Sequence, residues 1–115
     1  MLRWFRKPDP ETVANDKIRA ALKREGDDGT APRHVIHYVH PLDGGEINAS
    51  AVLDYLVASG FEVDPNKAQS GYFAEETREV ASRDFDAHCG ALRHAMGQWN
   101  WKYDGFECAV TPKKG

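Results

Sequence analysis

Five histidines are the side chains of this 115-residue sequence best suited to metal or acid–base chemistry. His34, His37 and His40 lie in a stretch dense in β-branched and aromatic residues, which predicts a strand. Side chains alternate along a strand, so His37 points away from the other two, which are about 20 Å apart. His88 and His94 lie about 240° apart around a predicted helix. Because neither set converges on one ion, we predict no metal ion and no cofactor.

The sequence offers little for nucleophilic or acid–base catalysis. Cys89 and Cys108 match no CxxC pattern and lie on stripes predicted to face the core, so we expect reduced core thiols. There is no GxSxG motif, and the carboxylates are scattered along the sequence rather than paired. We therefore predict that the protein is not an enzyme.

The elements that must position these residues follow from hydrophobic periodicity and turn residues. The pattern predicts helix 10–25, strand 33–40, helix 46–59, strand 61–64, strand 72–79, helix 84–102, a turn at 103–105 and strand 106–111. After the first helix, this order is typical of an α+β, ferredoxin-like βαββαβ fold. In that fold a four-stranded antiparallel sheet carries two helices on one face.

A chain of this length is the size of one domain. We expect a basic segment, helix and linker over residues 1–32, the ferredoxin-like domain over 33–111 and a tail over 112–115. In the last strand, Phe106, Cys108 and Val110 should point at the helices, with Glu107 and Thr111 on the open side. The sequence leaves the face of the third strand undecided, because Glu75 and Glu76 place acids on both sides.

The net charge of −3 is unevenly distributed. Residues 1–24 hold seven basic and three acidic side chains, whereas residues 33–111 hold six basic and twelve acidic ones. Phosphate backbones are bound through excess Lys and Arg, so the acidic body argues against direct nucleic-acid binding. It favours a basic protein partner, with an ordinary solvated surface as the alternative. With no apolar run of roughly 18 residues and no cleavable leader, we expect a cytoplasmic protein without a membrane span.

The predicted helix 84–102 has two different faces. Its core-facing stripe comprises Phe85, Cys89, Leu92, Met96 and Trp99. The opposite stripe comprises Gly90, His94, Gly97 and Trp101. Glycines and a tryptophan are unfavourable on a face that meets only water, so we predict that another element packs there. That element is either helix 10–25, through Ile18 and Leu22, or a second protein; alternatively, the glycines are tolerated and Trp101 folds back against the turn.

Three short motifs carry a family resemblance. They are His37-Tyr38-Val39, Ser59-Gly60-Phe61-Glu62-Val63 and Tyr103-Asp104-Gly105-Phe106-Glu107. In this order and spacing they resemble the RraB family, the regulators of ribonuclease E activity, over about residues 33–111. The resemblance implies a ferredoxin-like domain without catalysis that binds ribonuclease E and lowers its activity, altering messenger RNA decay. The non-catalytic region of that nuclease is rich in basic segments, so charge would steer the encounter.

Two surfaces are therefore candidates for partner binding. One consists of strand acids expected to reach solvent: Glu62, Glu75, Glu76 and Glu107. The other is the helix stripe of Gly90, His94, Gly97 and Trp101. Besides ribonuclease E, an acidic module of the immunity or antitoxin type that neutralises a basic protein is an open alternative. An RNA-binding or enzymatic ferredoxin-like domain is a third.

Overall fold

The computed structural model of the protein describes residues 10–112. Its elements are α1 (Pro10–Arg24), β1 (Arg33–Pro41), a short 3-10 turn (Gly45–Asn48), α2 (Ala49–Ala58), β2 (Glu62–Asn66), β3 (Gly71–Arg78), α3 (Arg83–Gln98) and β4 (Trp101–Cys108). The basic segment 1–9 and the last three residues of the predicted tail lie outside the described residues.

The four strands form one antiparallel sheet in the order β2-β3-β1-β4. This is the strand order of a ferredoxin-like fold, so the predicted α+β architecture is confirmed. One face of the sheet is covered, because the buried β1 residues Val35 and Val39 share a core with residues of both α2 and α3. The residues that α2 and α3 contribute to that core are Val52, Leu56, Phe85, Cys89, Leu92, Ala95 and Met96.

Helix α1 is anchored to α3 and to the core. Its Leu22 is buried in the core cluster. Arg19 of α1 pairs with Asp86 of α3 at 2.9 Å, and Asn15 donates a hydrogen bond to the same carboxylate at 2.7 Å. Glu11, at the start of α1, pairs with Arg93. The N-terminal helix is thus held along much of its length by polar contacts with α3.

The segment between α1 and β1 is fixed by a buried ion pair. Arg33 binds both carboxylate oxygens of Asp27, at 2.6 and 2.9 Å, and both side chains are almost completely buried. Asp27 also accepts backbone hydrogen bonds from Gly29 and Thr111, both at 2.8 Å. The pair therefore joins the linker, the start of β1 and the chain after β4.

Trp101 does not lie on the back of α3, and that prediction is wrong. The helix ends at Gln98, and Asn100 takes a positive φ of 60° that reverses the chain into β4. Trp101 begins β4 and is buried: its indole donates a hydrogen bond to Gly45 at 2.7 Å and its ring stacks on Tyr72. Trp101 lies beyond the end of α3, so the angle that it would have around the helix does not apply to it.

The segment 103–105 is not the turn that the sequence predicts. Tyr103 pairs with Val39 and Phe106 with His37, so an extra residue is accommodated inside β4 as a bulge. Gly105 has a φ of 95°, a conformation that glycine adopts without strain. The last strand therefore begins at Trp101 rather than at Phe106. As predicted, Phe106 packs against the core and Glu107 is exposed. The prediction that Val110 faces the helices is wrong, because β4 ends at Cys108 and Val110 is exposed beyond it.

The other three residues of the stripe opposite the core, Gly90, His94 and Gly97, differ in their surroundings. A Cβ added at Gly90 would lie 3.9 Å from Glu11 of α1, whereas one added at Gly97 would meet nothing within 4 Å. His94 is exposed. Within residues 10–112, α1 therefore approaches this stripe near Gly90 only, and Ile18 and Leu22 pack against the core instead.

Replacing Gly97 with alanine should stabilise the protein by about 0.5–1 kcal/mol, because alanine loses less backbone entropy in a helix and the added methyl has open space. Urea unfolding followed by circular dichroism measures the change. The reverse substitution at the exposed helix position Ala91, to glycine, should cost a similar amount. A destabilised Gly97→Ala variant would instead indicate that another chain packs on this glycine.

Candidate functional site

The face of the sheet away from the helices carries a row of paired residues in which three of the four strands contribute a carboxylate. Glu62 of β2 pairs with Glu75 of β3, Glu75 pairs with Ile36 of β1, and Ile36 pairs with Glu107 of β4. Directly paired residues point to the same face, and the β1 neighbours of Ile36 are buried on the other face. We refer to Glu62, Glu75 and Glu107 as the acidic row.

Two aromatic rings and a fourth acid lie beside the acidic row. Asp64 pairs with Phe73, and Phe73 pairs with Tyr38, so these three residues form the next row on the same face. The rings of Tyr38 and Phe73 meet edge to face with their centroids 5.4 Å apart. They line a shallow pocket of about 220 Å³ together with Ile36 and Glu75. The acidic face is defined here as the acidic row with Asp64, Tyr38 and Phe73.

The carboxylates of the acidic face affect one another. A hydrogen bond shared with Asp64 raises the pKa of Glu75, and the 2.8 Å contact with His34 opposes that effect. Burial and a hydrogen bond to Glu107 raise the pKa of Tyr38 to about 12, so its hydroxyl stays protonated and donates to the carboxylate. Crowded negative charge of this kind is relieved by a cation from outside.

A basic side chain is the ligand that this arrangement can accept. The acidic face offers aromatic rings over which a guanidinium or ammonium group can lie, with carboxylates beside them to pair with it. A phosphate backbone would meet the same carboxylates and be repelled. The geometry is therefore suited to a basic protein segment.

Glu76 does not belong to the acidic face, which corrects the prediction that it reaches solvent with the other acids. It follows Glu75 in an extended strand and so points to the helix side. Its side chain is 11% exposed and accepts hydrogen bonds from His37 at 2.6 Å, His88 at 2.8 Å and Arg78 at 2.9 Å. These partners neutralise its charge, so it has little left to offer a protein partner.

His37, Glu76 and His88 form a cluster whose nearest donor atoms all lie within 4.8 Å of one another. His37 is fully buried, and the Tyr103 hydroxyl lies 2.8 Å from its Nδ1. Burial lowers the pKa of His37 and favours the neutral ring, although Glu76 opposes that shift. Burial alone would raise the pKa of Glu76, but hydrogen bonds from the two histidines and Arg78 outweigh it and hold that pKa well below its usual range.

The sequence does not predict this cluster, because the spacing of histidines within one element says nothing about histidines of different elements. The prediction that His37 faces opposite to His34 and His40 agrees with its burial, since His34 is exposed and His37 is not. His88 follows the core residue Phe85 by one helical turn, which places it over the sheet. Two features of the sequence could have indicated the cluster. His37 faces the helices from β1, and His88 lies beside the core-facing stripe of α3.

The two cysteines have the environment of unreactive thiols. Burial raises the pKa of Cys89 and of Cys108. A raised pKa keeps a thiol protonated at neutral pH, and the protonated form is a poor nucleophile. Neither cysteine is therefore activated for attack on a substrate.

The fold and the acidic face define a ferredoxin-like domain with a surface suited to protein binding. The sequence profile of RraB, described as regulator of ribonuclease activity B, matches residues 12–108, which include most of α1 and all four strands. The chain belongs to the RraB family, as its motifs predict. No curated protein sequence matches the chain significantly. Membership makes the protein a regulator of ribonuclease activity in a non-catalytic family, acting on a protein partner. Among residues 10–112, no helix has the length and apolar character that a membrane crossing needs.

Proposed function

We propose that the protein binds ribonuclease E in the cytoplasm and lowers its activity, with the acidic face as the surface in contact. The observation that carries this proposal is the acidic row, in which one exposed side of the sheet presents Glu62 and Glu75 on neighbouring strands and Glu107 beyond Ile36. The family supplies the kind of partner, a ribonuclease. Ribonuclease E, to which the motifs of the chain point, has a non-catalytic region rich in basic segments.

Charge and shape both support a basic segment as the bound element. Carboxylates on one face raise the local concentration of a basic partner and speed its association. The aromatic pocket between Tyr38 and Phe73 then gives an arginine or lysine side chain a specific position. Binding to a segment outside the catalytic region of ribonuclease E would not require a catalytic acid or base from this protein.

An immunity-like module that neutralises a basic toxin is the second candidate function. The acidic face alone would suit that role, because its charge and rings recognise basic side chains of any origin. The family match favours the ribonuclease, since it spans residues 12–108 of the chain. The two functions differ in whether a basic protein other than the nuclease binds equally well.

Association with ribonuclease E should slow as salt rises. With the full chain immobilised and purified ribonuclease E injected, we expect the association rate constant to fall by roughly tenfold or more between low and high salt, while dissociation changes little. An unrelated basic protein should bind far more weakly, and RNA alone should not bind. Salt-independent association, or equal binding of the unrelated protein, would contradict the proposal.

A further inference from the structure

We propose that His37, Glu76 and His88 bind a divalent first-row metal ion, with Zn²⁺ as the preferred ion. The three side chains come from β1, β3 and α3, and the donor atoms are two imidazole Nε2 atoms and one carboxylate oxygen. Two histidines and one glutamate are a ligand set that zinc accepts in proteins. Such an ion would connect α3 to the central two strands of the sheet.

The two histidine nitrogens already meet at the carboxylate of Glu76. Both Nε2 atoms contact the same oxygen, Oε2 of Glu76, at 2.6 and 2.8 Å. Metal–ligand bonds of about 2.0–2.2 Å in a tetrahedral arrangement place neighbouring donors about 3.3 Å apart. Each nitrogen–oxygen contact must therefore widen by about 0.6 Å. His88 and Glu76 can make this shift, since their side chains are 24% and 11% exposed, while His37 stays fixed in the core.

Neighbouring groups hold the ligands in orientations that a metal ion can use. The Tyr103 hydroxyl lies 2.8 Å from Nδ1 of His37, and its oxygen can accept a hydrogen bond from Nδ1–H when the opposite nitrogen binds a metal. Arg78 contacts Oε1 of Glu76 at 2.9 Å, which leaves Oε2 as the single coordinating oxygen. The arginine charge opposes a cation and limits the affinity of the site.

Of the three proposed ligands, Glu76 is open to an ion and a water molecule from the edge of the sheet. A cleft of about 350 Å³ is lined by Glu76 and Arg78 together with Gly60, Glu62 and Glu75. Its carboxylates attract cations from solvent. Three protein ligands leave a fourth tetrahedral position, which a water molecule entering through the cleft would occupy.

Titration of the metal-free full chain with Co²⁺ tests the site, because tetrahedral cobalt has a visible absorption that reports its ligands. We expect one ion per chain, competition by Zn²⁺, and binding weakened by at least about tenfold in the His88→Ala and Glu76→Gln variants. His40→Ala is the matched control: it removes a histidine from the opposite face of β1 and should bind as the original chain does.

Thermal unfolding gives a second readout that does not depend on cobalt spectra. Zn²⁺ should raise the unfolding midpoint of the original chain and of His40→Ala, and raise it far less in Glu76→Gln, which keeps a side chain of the same shape. Circular dichroism establishes that each variant is folded before titration. An original chain that binds neither ion, or equal binding by the original chain, His88→Ala and Glu76→Gln, would overturn the proposal.

Discussion

Replacing Arg33 with methionine should lower the free energy of unfolding by about 3 kcal/mol, because it leaves the Asp27 carboxylate buried without its cation. The guanidinium also donates to the backbone oxygens of Ala31 and Ala109, and both would lose a donor. Urea unfolding at neutral pH measures the change. Arg24→Met removes an exposed arginine at the end of α1 and should shift stability by less than about 0.5 kcal/mol. A loss below 1 kcal/mol for Arg33→Met would contradict the role given to this pair.

The same variant should respond to acid differently from the original chain. Hydrogen bonds from Arg33 are the main reason that the pKa of Asp27 lies well below its usual range. A depressed pKa contributes stability above the unfolded value of about 4, and that stability is lost as pH falls towards the folded value. Without Arg33, burial favours the protonated carboxyl, so acid relieves the unpaired charge. The difference in free energy of unfolding between the original chain and Arg33→Met should therefore become smaller from pH 7 to pH 3. A difference that does not depend on pH would contradict the role of Arg33 in keeping the Asp27 carboxylate ionised.

Local periodicity was sufficient to predict the fold. Alternation in β1 places Val35, His37 and Val39 on one side, and the spacing of Phe85 and Cys89 marks the side of α3 that meets them. These patterns predict the order of helices and strands, and that order is typical of the ferredoxin-like topology. The ends of the strands and helices are less predictable where contacts between distant elements determine them. The last strand is an example: it starts at Trp101, whose indole donates a hydrogen bond to Gly45.

The acidic face was only partly predictable, because register joins residues that are distant in sequence. Glu62, Glu75 and Glu107 were identified as strand acids, but nothing local shows that they form one row. Tyr38 enters the sequence interpretation only as part of a family motif, and neither Tyr38 nor Phe73 is predicted to bind a partner, although both alternate with core residues. Glu76 differs from Glu75 only by one position, and the structure was needed to show which of the two faces solvent.

The sequence alone does not predict the ion pair and hydrogen bonds that join distant parts of the chain. Asp27 and Arg33 are six residues apart, and the sequence segment between them predicts a linker rather than a buried ion pair. His37 and Glu76 meet only after β1 and β3 pair, and His88 joins them only after α3 docks on the sheet. Such contacts depend on packing between elements, which periodicity within one element does not report.

Reversing the charges of the acidic row should slow association with ribonuclease E by about 100-fold at low salt. The reason is that steering by a charged surface changes association rate constants by a factor of up to about 10³. The variant carries Glu62→Lys, Glu75→Lys and Glu107→Lys. Its matched control reverses three exposed acids outside the sheet, Glu46→Lys, Asp54→Lys and Asp84→Lys, and has the same net charge. We expect the control to slow association less than threefold. The free energy of unfolding should change little in either variant, since all but Glu75 are well exposed.

The rate at which ribonuclease E cleaves an RNA substrate, measured with increasing amounts of each form of this protein, tests the central claim most directly. The original chain and the Glu46, Asp54 and Asp84 control should slow cleavage at similar concentrations. The reversed acidic row should require at least about tenfold more protein for the same inhibition, given the loss in association rate. Cleavage unaffected by the original chain, or inhibited equally by the reversed row, would contradict the acidic face as the surface that regulates the nuclease.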